Sequence, residues 1–308
     1  MRRILVFVAL VIVSGAALWG FQPTERRIVR MQTLNVRDIL YILTAGGGNT
    51  LALMRDDGVL LVDTKLPGWG RSIRDTIEAV TDKPVTTIIN THAHEDHTGG
   101  NVDFTSVTKI IAHENTKANM QKMAAFSGAG AKFLPNTLVS DRLSLLSGPD
   151  QIDLYYFGRA HTNGDLIVVF PQKRLAHLGD LFPGKAAPVI DTANGGSGVE
   201  FPETLARIVA GIPMVARITT GHDESSLIPS NRENPSAIFA NPKTMTWRDL
   251  QEYVEFNRDF LAAVRQAITE GKSAADAYAG LRLPDKYKDY DMTQARANVE
   301  AIYRELGR

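Results

Sequence analysis

Between Thr91 and Gly100 the chain reads Thr-His-Ala-His-Glu-Asp-His-Thr-Gly-Gly, which places three imidazoles and two carboxylates within six residues. Side chains of this kind are costly to bury without partners. A divalent cation satisfies them together. Zn²⁺ accepts imidazole nitrogen and carboxylate oxygen, and Fe and Mn accept the same donors. A cation with an open position lowers the pKa of a bound water and polarises a carbonyl or phosphoryl oxygen. The chain has no cysteine, so disulfides and thiolate ligands are excluded and any metal is held by N and O donors.

Three more candidate ligands lie downstream: His161 in Gly158–Asp165, Asp180 in His177–Phe182, and His222 in Thr220–Asp223. Each follows a predicted strand or lies in a loop beside one, where rigid scaffolds present functional side chains. The positioning strands read as Ile39–Thr44, Leu51–Met54, Val59–Thr64, Val85–Asn90, Lys109–Ala112, Thr137–Val139, Ile152–Phe157, Leu166–Phe170, Leu175–His177 and Val215–Thr219. Gly46–Thr50 reads as a turn and Asp56-Asp57-Gly58 as a hairpin signal. Glu25–Arg30 is a linker or first edge strand. Helical spacing covers Arg71–Val80, Asn115–Phe126 and Glu203–Ile212, and Ser127–Ala131 reads as a flexible segment. Strand hairpins mixed with β–helix units indicate packed α and β layers.

From Asn241 the character changes. Met245–Ala267 carries a long amphipathic helix pattern, Ser273 is placed to cap a helix over Ala274–Leu281, and a last helix covers Thr293–Leu306 after a loop at Pro284–Asp291. These helices pack on the core or form the face of a homodimer. The organisation expected is residues 1–22 as signal peptide or anchor, 27–240 as the main domain and 241–308 as a C-terminal helical extension.

The 308 residues include 34 Lys plus Arg and 34 Asp plus Glu. That balance argues against a nucleic-acid binder, which needs a basic face. Arg2 and Arg3 precede an apolar run from Ile4 to Phe21, the n- and h-regions of a secretory signal. The run is also near the shortest length that spans a bilayer. The expectation is a periplasmic or secreted protein, meeting the inner membrane only through an uncleaved N-terminus.

The ordered set of motifs, His92-x-His94-x-Asp96-His97 followed by His161, Gly179-Asp180 and Gly221-His222, resembles the metallo-β-lactamase superfamily over about residues 35 to 225. The resemblance implies an α/β fold, a four-layer αβ/βα sandwich with the metals at one edge. It implies that His92, His94 and His161 hold a first metal, that Asp96, His97 and His222 hold a second, and that Asp180 bridges them. Two Zn²⁺ about 3.5–4 Å apart, with Fe or Mn as alternatives, would share a hydroxide, and Asp96 would help to orient it. Asp63 matches the family's carboxylate behind a ligand imidazole, and Asp223, beside His222, is placed for a similar role.

The function expected is hydrolysis of an ester, lactone, amide or related bond in a small-molecule substrate. A carboxylate at position 180 is, by the resemblance, more usual in thioesterase-like, lactone- and phosphodiester-cleaving members than in lactam-cleaving ones. The rivals are a true β-lactamase, an iron-dependent dioxygenase of a sulfur substrate, and a non-catalytic zinc-binding interaction protein. Glu95 is expected to point away. His113 and His177 read as structural residues, and Asp165 as a loop hydrogen-bonding group.

Overall fold

The structure is a computed structural model that describes residues 30–34, 39–222 and 244–307. Twelve strands among these form two sheets. The first sheet runs in chain order through β1 (Arg30–Thr33), β2 (Leu40–Thr44), β3 (Thr50–Arg55), β4 (Gly58–Val62), β5 (Val85–Ile89), β6 (Lys109–His113) and β7 (Thr137–Val139). Strands β1 to β4 pair antiparallel, and β4 to β7 pair parallel. The Asp56-Asp57-Gly58 signal is the β3–β4 turn, with Arg55 opposite Gly58.

The second sheet has the order β12 (Arg217–Thr219), β11 (Leu175–His177), β10 (Ile167–Phe170), β9 (Ile152–Tyr155), β8 (Arg142–Leu145). Only β11 and β12 pair parallel. Parallel pairs need helical crossovers. These are α1 (Gly70–Glu78) between β4 and β5, α2 (Glu95–Thr98) with a 3-10 turn between β5 and β6, α3 (Glu114–Met120) between β6 and β7, and α4 (Phe201–Gly211) between β11 and β12.

Alternation along the strands divides the apolar side chains among three cores. Leu51, Leu53, Leu60, Val62, Ile89 and Ile111 of the first sheet meet Leu154, Val168, Phe170 and Leu175 of the second. The opposite face of the first sheet packs Ala52, Leu61 and Ile88 against Ile73 and Ile77 of α1 and against Met120 of α3. The outer face of the second sheet packs Ile167, Val169 and Ala176 against Leu205 and Ile208 of α4. Two sheets face to face with helices outside form the four-layer sandwich. Three helices follow: α5 (Trp247–Thr269), α6 (Ala274–Ala279) and α7 (Ala295–Glu305). Leu250, Tyr253, Phe256, Val299 and Ile302 insert into the same outer core as α4. The Ser273 cap is present, its hydroxyl accepting from the Asp276 N–H.

Differences from the sequence expectations are local. Helix α3 stops at Met120, and 3-10 turns carry the chain through Ala124–Phe126 and Gly128–Phe133, where a flexible segment was expected. Strand β8 was not anticipated, because its Arg and Ser alternate with leucines that stay half-exposed. The edge strand lies at Arg30–Thr33, at the end of the expected linker. The expected boundaries at residues 22, 27 and 240–241 fall outside the described residues. Among the described residues no helix is long and apolar enough to cross a membrane.

Candidate metal centre

The candidate side chains all follow the C-terminal ends of strands, parallel ones except for β9. Strand β5 leads through Asn90 into the 91–97 segment, β9 into the loop carrying His161, β11 into Asp180 and β12 into His222. The structure brings His92, His94, His161 and Asp180 together as one group and Asp96, His97 and His222 as another. The potential ligand atoms within each group all lie within 4.8 Å of one another.

The outer nitrogens fix what the inner ones offer. His97 Nδ1 lies 2.7 Å from Asp63 Oδ2, His94 Nε2 lies 2.7 Å from Asp191 Oδ2, and His161 Nδ1 lies 2.8 Å from the Val189 carbonyl. Each of these partners can only accept, so each of these nitrogens carries the hydrogen. The Thr91 hydroxyl donates to Asp63 Oδ2 at 2.7 Å and so accepts from His92 Nδ1 at 3.0 Å. In the neutral rings the inner nitrogens of all four histidines are therefore lone pairs, an assignment drawn from the hydrogen-bond network.

These lone pairs crowd each other and the carboxylates. His161 Nε2 is 3.1 Å from His94 Nδ1, and His97 Nε2 is 3.2 Å from His222 Nε2. Asp180 Oδ2 lies 3.9 Å from His92 Nε2, 3.7 Å from His161 Nε2 and 3.4 Å from His222 Nε2, and Asp180 Oδ1 is 3.4 Å from His97 Nε2. Asp96 Oδ2 is 3.2 Å from His222 Nε2 and 3.8 Å from His97 Nε2. A tetrahedral Zn²⁺ with bonds near 2.0–2.1 Å has ligand–ligand edges of about 3.3 Å. The donor spacings centre on that value. His92 Nε2 and Asp180 Oδ1 are buried without a hydrogen-bond partner, as donors aimed at a cation would be. The residues present fit a pair of cations, with Asp180 facing both groups.

The field at the site favours positive charge. Burial works against a charged His97, yet Asp180 and Asp63 outweigh it and hold that ring well above its ordinary 6.5. Burial also opposes charge on His222, and Asp180 and Asp96 lift it to about 9. Burial should raise Asp180, but His97 and His222 pull it well below the usual carboxylate range. His92, which burial and the neighbouring imidazoles hold well below 6.5, stays neutral and available as a ligand. A cation supplies what these protons supply, so its binding displaces them.

Close backbone approach completes the wall. A Cβ on Gly48 would lie 2.4 Å from His97 Cε1, and one on Gly221 would lie 1.9 Å from Asp180 Oδ1. Lys65, fully buried, reaches under the 46–49 loop to the Leu43 and Gly48 carbonyls at 2.8 Å each. Asp63 and Lys65 both adopt positive φ, 61° and 67°. Such non-glycine conformations are strained and persist where surroundings impose them. Here the contacts of Asp63 with Thr91 and His97 do so.

Several residues had been singled out by sequence alone. Glu95 is exposed at the start of α2. His113 stacks on Tyr156 with ring centroids 3.9 Å apart and bonds the Ser140 carbonyl. His177 is buried with Nδ1 on the Thr219 hydroxyl. Asp165 accepts from the Thr162 N–H at 2.8 Å. Asp223 lies outside the described residues. Asp191 and the Val189 carbonyl were missed. Their only local signal is Asp191 turning Thr192–Asn194 by accepting from the Ala193 and Asn194 N–H groups.

Residues 43–260 match a family described as the metallo-beta-lactamase superfamily. The chain is 34% identical over 164 residues to the 2,4-dinitroanisole O-demethylase subunit alpha of Nocardioides sp. (strain JS1661), a stretch covering 52% of this chain and 49% of that protein. It thus spans about half of that relative's length. It is 23% identical over 180 residues to metallo-beta-lactamase IND-1 of Chryseobacterium indologenes, covering 57% of this chain and 72% of the other. Among solved structures, a metallo-beta-lactamase from Pontibacter korlensis superposes with a TM-score of 0.57 at 17% identity, over 75% of this chain and 99% of that one. A double mutant of the sec-alkyl sulfatase PisA1 gives a TM-score of 0.69 at 12% identity, over 88% of this chain and 49% of that one. These structural likenesses concern the fold.

Proposed function

The chain belongs to the metallo-beta-lactamase superfamily, and from that premise we propose that it is a dinuclear zinc hydrolase of a small-molecule ester, lactone, amide or related bond. The observation that carries the reading is the convergence of the His92, His97, His161 and His222 ring nitrogens on Asp180, which faces both donor groups. His92, His94, His161 and Asp180 would hold one cation, and Asp96, His97, His222 and Asp180 the other. When bound, such cations lower the pKa of a water and polarise the substrate oxygen.

The remaining work falls to side chains of this chain. Asp96 would also help to orient the attacking water. Asp63 holds His97, Thr91 holds His92, Asp191 holds His94 and the Val189 carbonyl holds His161, so each ring presents the same nitrogen throughout turnover. Asp180, which His97 and His222 hold well below the usual carboxylate range, stays a carboxylate. A carboxylate at that position favours ester-like or lactone substrates over lactams. The name of the demethylase subunit adds a small aryl ether to the bonds worth testing. We also propose export, on the Arg2-Arg3 and apolar N-terminal pattern, and a homodimer through the C-terminal helices.

The test uses the purified full chain. The expected result is two zinc ions per chain, with turnover of a chromogenic ester or lactone. His94→Ala should lose metal and activity together while keeping the fold. One iron per chain with oxygen uptake would reassign the protein to oxidation. Zinc bound without turnover across esters, lactones, lactams, phosphodiesters and aryl ethers would make it a binding protein.

A further inference from the structure

Against Asp180 and His222 lies a cavity of about 230 Å³ that no part of the metal chemistry requires. One wall is the loop after β11. It contributes Ala186, Ala187 and Val189, whose side chain is 45% exposed although its carbonyl is committed to His161. The facing wall comes from the C-terminal extension, through Asp291, Thr293 and Gln294. The two walls are joined. The Ala187 N–H donates to the Asp291 carbonyl at 2.8 Å, the Asp291 N–H donates to the Lys185 carbonyl at 3.0 Å, and Asn298 Nδ2 donates to the Pro188 carbonyl at 2.8 Å. The cavity is therefore part of the fold and open beside the candidate ligands.

Its chemistry is specific. Small side chains and an exposed valine make one side apolar. The Thr293 hydroxyl and N–H are spent on Asp291 Oδ1, at 2.6 and 2.9 Å. Gln294 lines the cavity and makes no capping bond at the start of α7, so its amide is a neutral polar group not engaged there. Among the described residues no lysine or arginine lines the cavity, and Asp291 adds a negative charge. An engineered cavity of about 150 Å³ with an apolar lining holds benzene. The present volume suits one ring with a substituent.

We propose that this cavity, built jointly by the 183–189 loop and the C-terminal extension, receives an uncharged organic portion of the substrate the size of a substituted benzene ring, with Gln294 orienting it. The proposal rests on the hydrolase reading for its kinetics and on binding alone for its independence. A substrate whose far end, away from Asp180 and His222, is anionic is disfavoured, because no lysine or arginine among the described residues lines that end and Asp291 repels it.

The test compares zinc-loaded wild type with Ala186→Phe, which fills the cavity from a half-buried position, and Gln294→Leu, which removes the amide. The KM for 4-nitrophenyl acetate should rise about tenfold in Ala186→Phe, whereas methyl acetate, which lacks the ring, should show no such rise. In wild type, 4-acetoxybenzenesulfonate should be cleaved about tenfold less efficiently than phenyl acetate. Equal changes for ringed and ringless esters, or no discrimination against the sulfonate, would overturn the proposal. If Ala186→Phe fails to fold, Gln294→Leu must still weaken the ringed ester selectively. Independently of turnover, saturation-transfer NMR should show benzamide bound to wild type and released from the filled variant. That result with no ester cleaved would leave the cavity assigned and the hydrolase reading refuted. Benzamide bound equally by both proteins would refute the cavity even with hydrolysis intact.

Discussion

Asp191 reaches His94 from 97 positions away and fixes which nitrogen faces the cluster. Burial works against its charge, yet the hydrogen bonds from His94 and Asn194 keep its carboxyl below the usual range. Asp191→Ala frees the imidazole to rotate or change tautomer. Loss of such an outer partner lowers metal affinity by about 10–100-fold. Competitive titration with a zinc chelator measures the drop, and unchanged affinity would remove Asp191 from the machinery. His177 has the opposite character. Burial drives its pKa from 6.5 to about 4. Between those values the unfolded chain binds a proton that the native ring refuses, so stability falls as pH drops through that window. The shift corresponds to on the order of 3 kcal/mol. In chelator-treated protein, His177→Gln should show a smaller loss of urea stability between pH 7 and pH 4.5 than wild type does. Four of the candidate ligands, His92, His94, Asp96 and His97, stand in spacings that suggest metal binding on their own. Asp191 does not, because its partner is set by the Asp191 N–H pairing with the His161 carbonyl, a meeting of two loops.

The elements were legible in proportion to how plainly their side chains alternate. Val85–Ile89 and Gly58–Val62 are β-branched and aliphatic runs, and both were read within a residue or two of their ends. The helix expected through Phe126 is shorter because the chain after Met120 tightens into 3-10 turns around Phe126 and Phe133, both buried beneath the first sheet. Long-range packing set that boundary. Helix α5 shows a local rule acting undisturbed. Thr246 accepts from the Asp249 N–H, and Asp249 Oδ2 answers the Thr246 N–H at 2.8 Å, a reciprocal cap at an exposed terminus. Thr246→Ala should lower stability by about 1 kcal/mol. Chemical denaturation would register it, and metal content should not change. A loss of metal in that variant would mean that α5 influences the cluster more directly than its packing in the outer core suggests.

At the scale of the molecule, the layered arrangement was anticipated by the alternation of strands and helices, whereas the pairing of sheet edges was not, since pairing is a property of two segments at once. Ligand binding to the native state alone adds about 2.7 kcal/mol at a hundredfold excess over Kd. A domain of this size shifts its Tm by roughly 2–4 °C per kcal/mol. Chelation should therefore lower the melting temperature by several degrees in calorimetry, and restored zinc should return it.

Each donor group draws on both sheets: His92 and His94 with His161 and Asp180, and Asp96 and His97 with His222. Neither half of the sandwich owns a complete coordination sphere. A chain severed between the sheets would split each donor group, and reassembly of the halves should tighten metal uptake beyond that of either alone. The ions would then act as rivets across the seam between the two halves.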